Sequence, residues 1–292
     1  MKISNLKKGL IFASLGSFWW GIFGVLYFKH FSFIGHLELV LHRCVWTALM
    51  LFITTLLLSK FNLFINVFKK PKTLFILFIT GILIFANWGI WLYAVATNKM
   101  IDASFGYFIM PILSVLFGAI FFKEVLNKKR LISIFLVIIS IIYLLIKFNT
   151  IPWVGISVGL AWSIYNLLRK TIKIDTDIGL FVESVIILPF ALIGFYLIFQ
   201  NDLNDFTIEN PSLMFLLLLA GPMTVIPLFL HVKGVELAGL GPSGMIFYIV
   251  PTFHFILGFF YYNEPFSNDK LIGFILIWIA VIIYLKDLYE NN

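Results

Sequence analysis

Of the 292 residues, 61% are hydrophobic and only 12% are charged, about half the charged share of an ordinary soluble domain. A chain of this length has too little interior to hide that surplus, which excludes a soluble globule and leaves lipid as the solvent for much of the surface. The net charge of +7 comes from lysines set between apolar runs, where they orient helices rather than mark a nucleic-acid binder, and the single cysteine, Cys44, excludes an internal disulfide.

A span needs about 20 apolar residues, and an open strand cannot cross lipid with unpaired backbone groups. The apolar runs predict ten transmembrane helices, over 9–28, 37–59, 73–97, 100–122, 130–148, 152–170, 178–199, 212–232, 239–262 and 270–286. The first run follows Lys2, Lys7 and Lys8 as a signal peptide would, but it is long enough to span and no small-residue cleavage site follows. With the N-terminus in the cytoplasm, sixteen Lys and Arg residues in the connections and at the span ends fall on the inner side and four on the outer side. That asymmetry predicts both termini cytoplasmic.

Polar groups inside the spans are the candidate functional residues, because an ionisable side chain near a helix centre costs about 2.5–3.5 kcal/mol on insertion scales. In helix two, Glu38 and His42 share a face that continues to Trp46, with Arg43 turned about 100° away. Histidine is the side-chain type best suited to exchange protons near neutral pH, which makes His42 a candidate proton carrier; the plainer reading is an ion pair, Glu38 with Arg43 or His42, that pins the helix. Helix three aligns Asn87 and Trp91 on one stripe, and helix four aligns Tyr107, Pro111, Ser114 and Gly118. Helix six carries Trp162, Tyr165, Asn166 and Arg169 at helical spacing, with Arg169 expected to snorkel to the inner surface and Gly155 and Gly159 to form a packing face. In helix seven Glu183 lies too deep for a loop charge and is a second candidate proton carrier. His231, at the inner end of helix eight, is expected at the interface. Helix nine presents Tyr248, Pro251, His254 and Gly258. Asn87, Trp91, Tyr107 and Tyr248 are expected to line a cavity.

One pattern occurs twice. Pro111, Gly118 and Glu124 match Pro251, Gly258 and Glu264 as Pro-x6-Gly-x5-Glu at a constant offset of 140. The copies lie in helices four and nine, so the repeat unit is five helices, 9–148 and 152–286, and the second enters the membrane inverted. Inverted repeats are an architecture of secondary transporters, with the solute site between the halves. Prolines at matched depth predict a kink with freed carbonyls on either side of one cavity; the plainer reading is that transmembrane helices tolerate proline.

The stretches ELVLHRCVW (38–46), NWGIWLYAV (87–95), DASFGYFIMP (102–111), SIYNLLRK (163–170), FVES (181–184), PMTVIPL (222–228) and FYIVP (247–251) together resemble the RarD branch of the EamA-domain drug/metabolite transporters over nearly the whole chain. The resemblance implies ten helices in a bacterial inner membrane and movement of a small organic solute. Asn166 stands where that branch's pattern leads one to expect glycine, so packing around helix six is open to difference.

Enzymatic readings find little support. Gly241–Gly244 resembles the Gly-x-Ser-Gly element of intramembrane serine proteases. The histidine that follows, His254, lies eleven residues along the same helix, about 16 Å away and out of reach of a nucleophile; earlier histidines stay open. No HExxH, cysteine cluster, P-loop or GxGxxG occurs, so no metal, nucleotide or other cofactor is expected. The expectation is an all-α, polytopic, monomeric secondary transporter whose partners are lipid and a small solute, driven by an ion or solute gradient. Glu38, His42, Arg43, Asn87, Trp91, Tyr107, Trp162, Tyr165, Asn166, Glu183 and Tyr248 are its expected binding or gating residues. The alternatives are a non-transporting receptor or assembly protein and, further off, an intramembrane hydrolase. Direction, coupling ion and substrate stay open.

Overall fold

The computed structural model describes residues 3–31, 33–97, 100–148, 153–201, 203–261 and 268–291. Among these the secondary structure is helical throughout. Eight helices are long and apolar enough to cross a membrane, with a shorter apolar helix over Gly106–Phe122. Large side chains on α7 (Lys128–Phe148) show where lipid belongs: Leu131, Phe135, Ile139, Ile142 and Ile146 share one face and are all exposed. A multi-pass membrane protein accounts for that face, because water would not.

The helices follow the apolar runs, with interruptions the runs do not reveal. The first span is α1 (Ile3–Trp19), a π-helical turn at Trp20–Gly24 and α2 (Val25–His30). A short helix, α4 (Phe61–Val67), fills the connection between α3 (His36–Leu57) and α5 (Pro71–Ala96). Next come α6 (Met100–Phe122), α8 (Trp153–Thr171) and α9 (Thr176–Gln200). The eighth span is divided into α10 (Pro211–Leu218) and α11 (Ala220–Ala238), and the ninth into α12 (Leu240–Ile246) and α13 (Ile249–Phe260); α14 (Asn268–Glu290) ends the chain.

The two prolines lie in different local structure. α6 runs unbroken through Pro111, whereas the ninth span breaks at Phe247 and Tyr248, ahead of Pro251. There the Tyr248 and Val250 N–H groups turn back three residues, to the carbonyls of Met245 (3.3 Å) and Phe247 (2.9 Å). Pro251 is thus the third residue of α13, where its missing N–H has no helical partner to lose.

Packing joins distant parts of the chain. α1 lies on α11, α6 and α5 on α8, α3 on α9, α12 on α6, and α7 on α14. One apolar core unites α3, α5, α8, α9 and α11; a second unites α6, α7, α12 and α14. The Gly155–Gly159 face does pack as expected: a Cβ on Gly106 would stand 2.8 Å from the Gly155 carbonyl and 3.1 Å from the Gly159 nitrogen. Backbone meets backbone there, and only glycine permits it.

Both ends of the chain lie at one end of the bundle, where Leu6 packs with Ala238 and Leu288. This terminal end holds two polar assemblies. Arg130 is buried with Asp287 at 2.9 Å and donates to the Val125 carbonyl, tying α7 to α14. Glu124 explains half of the repeated motif. The chain leaves α6 through Lys123 at φ 54°, and the Glu124 carboxylate accepts from the N–H groups of Leu240 (2.8 Å) and Gly241 (2.9 Å). It therefore caps the start of α12, satisfying donors that no residue within that helix can. A Cβ on Gly118 or Gly239 would collide with that carboxylate, and Gly239 has φ 105° besides. Glu264, the counterpart in the second copy, lies outside the described residues.

Candidate functional site

A cavity opens between α2, α3, α5, α6, α8, α13 and the π-turn, holding about 680 Å³ of empty space with its mouth included. Its wall is aromatic: Trp20, Phe28, Trp88, Trp91, Tyr107, Trp162 and Phe247 all contribute. The polar groups on it are few, chiefly Arg43, Asn87, Tyr107 and His254. Asn87 spends its amide on the Val158 carbonyl at 2.9 Å, so it also ties α5 to α8.

Arg43 is the cation of this wall, and it is only 5% exposed. Its guanidinium lies 4.4 Å from the Trp88 ring centre and 4.5 Å from that of Phe28, and its Nε donates to Thr224 Oγ1 at 3.3 Å. No carboxylate pairs with it among the described residues. The titratable groups that interact with it are Cys44, Tyr107 and Tyr27, all neutral near pH 7.

Towards the terminal end the cavity closes on rings. Trp20 packs edge-on against Trp162 with centres 5.2 Å apart, Phe247 lies 5.9 Å from Trp20, and His231 sits beneath at 5.1 Å from Phe247. His231 is 1% exposed and neither ring nitrogen has a hydrogen-bond partner. It is part of this floor, not the interface, because the helix continues to Ala238 and leaves His231 two turns inside.

Beside the floor, Glu183 forms a buried network across three helices. It accepts from Thr80 at 2.6 Å and Tyr165 at 3.2 Å, and lies 3.5 Å from Arg169. Arg169 also donates to the Thr176 carbonyl and rests over Gly179, where a Cβ would collide with it. It does not snorkel; a buried carboxylate within reach holds it inward, against the expectation of a surface position. Glu183 also borders a second, smaller cavity, with Cys44, Thr47 and Ser184, and Trp88 belongs to both walls.

The expected residues therefore divide. Arg43, Asn87, Trp91, Tyr107 and Trp162 meet at the main cavity, while Tyr165 and Glu183 meet in the adjoining network. Glu38 and His42 lie elsewhere. Glu38 accepts from the Asp205 and Phe206 N–H groups, which holds the loop after α9, and stands 3.5 Å from His42, one of the two partners the plainer reading gave it. His42 in turn accepts from Trp46 Nε1 at 2.9 Å. Asn166 is buried behind the wall, donating to the Trp162 carbonyl. Tyr248 also faces away from the cavity: its hydroxyl donates to the Phe108 carbonyl at 2.8 Å within the second core. The ring that faces the cavity is Phe247, one residue and about 100° away. Sequence reasoning could have found it, since the offset of 140 that pairs Pro111 with Pro251 pairs Tyr107 with Phe247. Trp20, Phe28, Trp88 and Thr224 carried no such signal, being apolar or small residues in apolar runs.

Comparison with known proteins agrees with this architecture. The model of the EamA-like transporter family matches residues 7–146 and again 150–286. An uncharacterized transporter of Vibrio cholerae is 33% identical over 97% of this chain and 93% of its own length. YojE of Bacillus subtilis, also an uncharacterized transporter, is 32% identical over 97% of this chain and 95% of its own. The protein RarD of Escherichia coli is 28% identical over 98% and 97%. With a family match over nearly every residue, on a helical membrane bundle that encloses an aromatic cavity, this chain belongs to the EamA-like transporter family.

Proposed function

We propose that the protein is a secondary transporter that moves a small organic solute through the aromatic cavity by alternating access. In this reading it has ten spans in two inverted halves, 9–148 and 152–286, sits as a monomer in a bacterial inner membrane, and keeps both termini in the cytoplasm. Two matches to one family support the halves. So does the reciprocity of packing, in which α5 on α8 is answered by α11 on α1, and α3 meets α9 as α7 meets α14. The charge asymmetry of the connections supports the orientation.

The observation that carries the reading is the cavity itself, lined from both halves and closed at one end by Trp20, Trp162 and Phe247. A site between halves, shut on one side, is what alternating access requires. Tyr107, Trp91 and Asn87 bind or gate, and the Glu183 network serves coupling to a gradient. A non-enzymatic role is supported by the relatives, which are named as transporters; Ser243, of the protease-like element, is fully buried without a hydrogen-bond partner among the described residues.

Untargeted metabolite profiles of cells and medium test this, comparing cells that express the protein, cells that lack it, and cells expressing Trp162→Ala at equal folded abundance. At least one small solute should redistribute with the wild type and not with the other two. Identical profiles in all three, with the protein folded in the membrane, would remove the transport reading.

A further inference from the structure

Arg43 supplies what a binding site for one chemical class needs. A cation taken out of water requires a compensating charge or a full set of hydrogen bonds. Arg43 has neither, although the chain gives its other two arginines, Arg130 and Arg169, carboxylates at 2.9 and 3.5 Å. Two rings lie against the guanidinium and Thr224 takes Nε. Stacking engages the face of a guanidinium and leaves its in-plane N–H groups available. The two terminal nitrogens of Arg43 have no protein partner among the described residues, and the residue lines the cavity. Their fork matches two oxygens of one anionic group.

Resting on the transport reading, we propose that the solute is an organic monoanion. A carboxylate or similar small oxyanion is held by Arg43, and a flat apolar body lies among Trp20, Trp91, Tyr107 and Trp162. A single unpaired cation sets the charge of the ligand at one, and the aromatic wall sets its body. A neutral solute would leave the guanidinium unmatched, and a cation would be repelled by it.

Calorimetric titration of the purified full-length protein in detergent tests this with two matched pairs: indole-3-acetate against indole-3-acetamide, and 3-phenylpropionate against its amide. The carboxylates should bind tighter than the amides by roughly tenfold or more. Arg43→Gln should remove that preference, and Arg43→Lys should keep part of it, retaining the charge without the fork. Should Arg43→Gln fail to fold, the acid–amide comparison on the wild type and the partial loss in Arg43→Lys decide the matter. Equal affinity for acid and amide, no binding of either at millimolar concentration, or an Arg43→Gln protein that binds the acid as well as wild type would overturn the proposal. Counterflow of labelled indole-3-acetate in proteoliposomes addresses the transport reading separately. Arg43-dependent binding without movement would keep the ligand class and discard transport.

Discussion

Arg43 and Glu183 stand 140 residues apart, the offset that relates the two proline motifs, and both are buried ionisable groups at cavity walls. Arg43 borders the larger cavity on α3 and Glu183 the smaller on α9, with Trp88 common to both. Of these two ionisable side chains, only Glu183 has an ionic partner, Arg169, among the described residues. The asymmetry agrees with the two roles proposed above, a cation left for a ligand and a carboxylate held in a protein network.

The Glu183 network makes the first prediction. Breaking a buried pair from one side leaves a charge unmatched, at about 3–5 kcal/mol, whereas removing both partners costs far less. Arg169→Met should therefore lower stability markedly, and Arg169→Met with Glu183→Gln should recover much of the loss. Unfolding midpoints of the single and double variants in detergent measure this, and additive losses would show that the two side chains do not depend on each other.

A second prediction follows for coupling. If Glu183 carries the driving proton, Glu183→Gln should abolish accumulation of solute against a gradient and spare exchange between preloaded and external solute. Transport in proteoliposomes with and without an imposed pH difference reads both. An unchanged accumulation ratio removes Glu183 from the mechanism.

The cap formed by Glu124 on α12 gives a third. An N-cap carboxylate contributes about 0.5–2 kcal/mol, so Glu124→Ala should lower the unfolding temperature modestly. Gly239→Ala should do more harm, since it forces a Cβ into a φ of 105° and to within 2.6 Å of the Glu124 carboxylate. The order of the two melting temperatures is the test; a Gly239→Ala protein as stable as wild type would contradict the geometry.

Topology is the fourth. In a Cys44→Ser background, cysteines at Asn201 and Asn268 should react with an impermeant thiol reagent added outside sealed cells, and cysteines at Lys69 and Lys128 should not. All four positions are exposed, so protection reports the side of the membrane rather than burial. Labelling at Lys128, or protection at Asn201, would reverse or break the proposed arrangement.

The membrane setting was legible because lipid imposes a length and a composition that a sequence cannot disguise. Arg43, Asn87 and Glu183 were legible because polar atoms in apolar runs need partners, and the partners are at sites. What the pattern did not reveal was direction around and along a helix. Glu38 and His42 look functional in one dimension, but the loop carrying Asp205 and Phe206 folds over them. The break before Pro251 depends on carbonyls three residues back, and the break at Trp20–Gly24 on a wide turn that no residue there announces.

Tyr248 and Phe247 turn that limit into a last prediction. Adjacent in sequence, they point to different places: Tyr248 to the Phe108 carbonyl in the second core, Phe247 to the floor against Trp20 and Tyr107. Tyr248→Phe removes one buried hydrogen bond, a loss of about 0.5–1.5 kcal/mol. Its cost should appear in the unfolding midpoint, with transport per folded molecule unchanged. Phe247→Ala opens the floor where Trp20, Trp162 and His231 meet, so the cavity loses its seal towards the terminal end. That variant should leak solute down its gradient without accumulation, beyond any loss of stability. Uptake and efflux normalised to folded protein separate the two. If Tyr248→Phe impairs transport as much as Phe247→Ala does, the cavity extends behind the helix and the assignment of its wall is wrong.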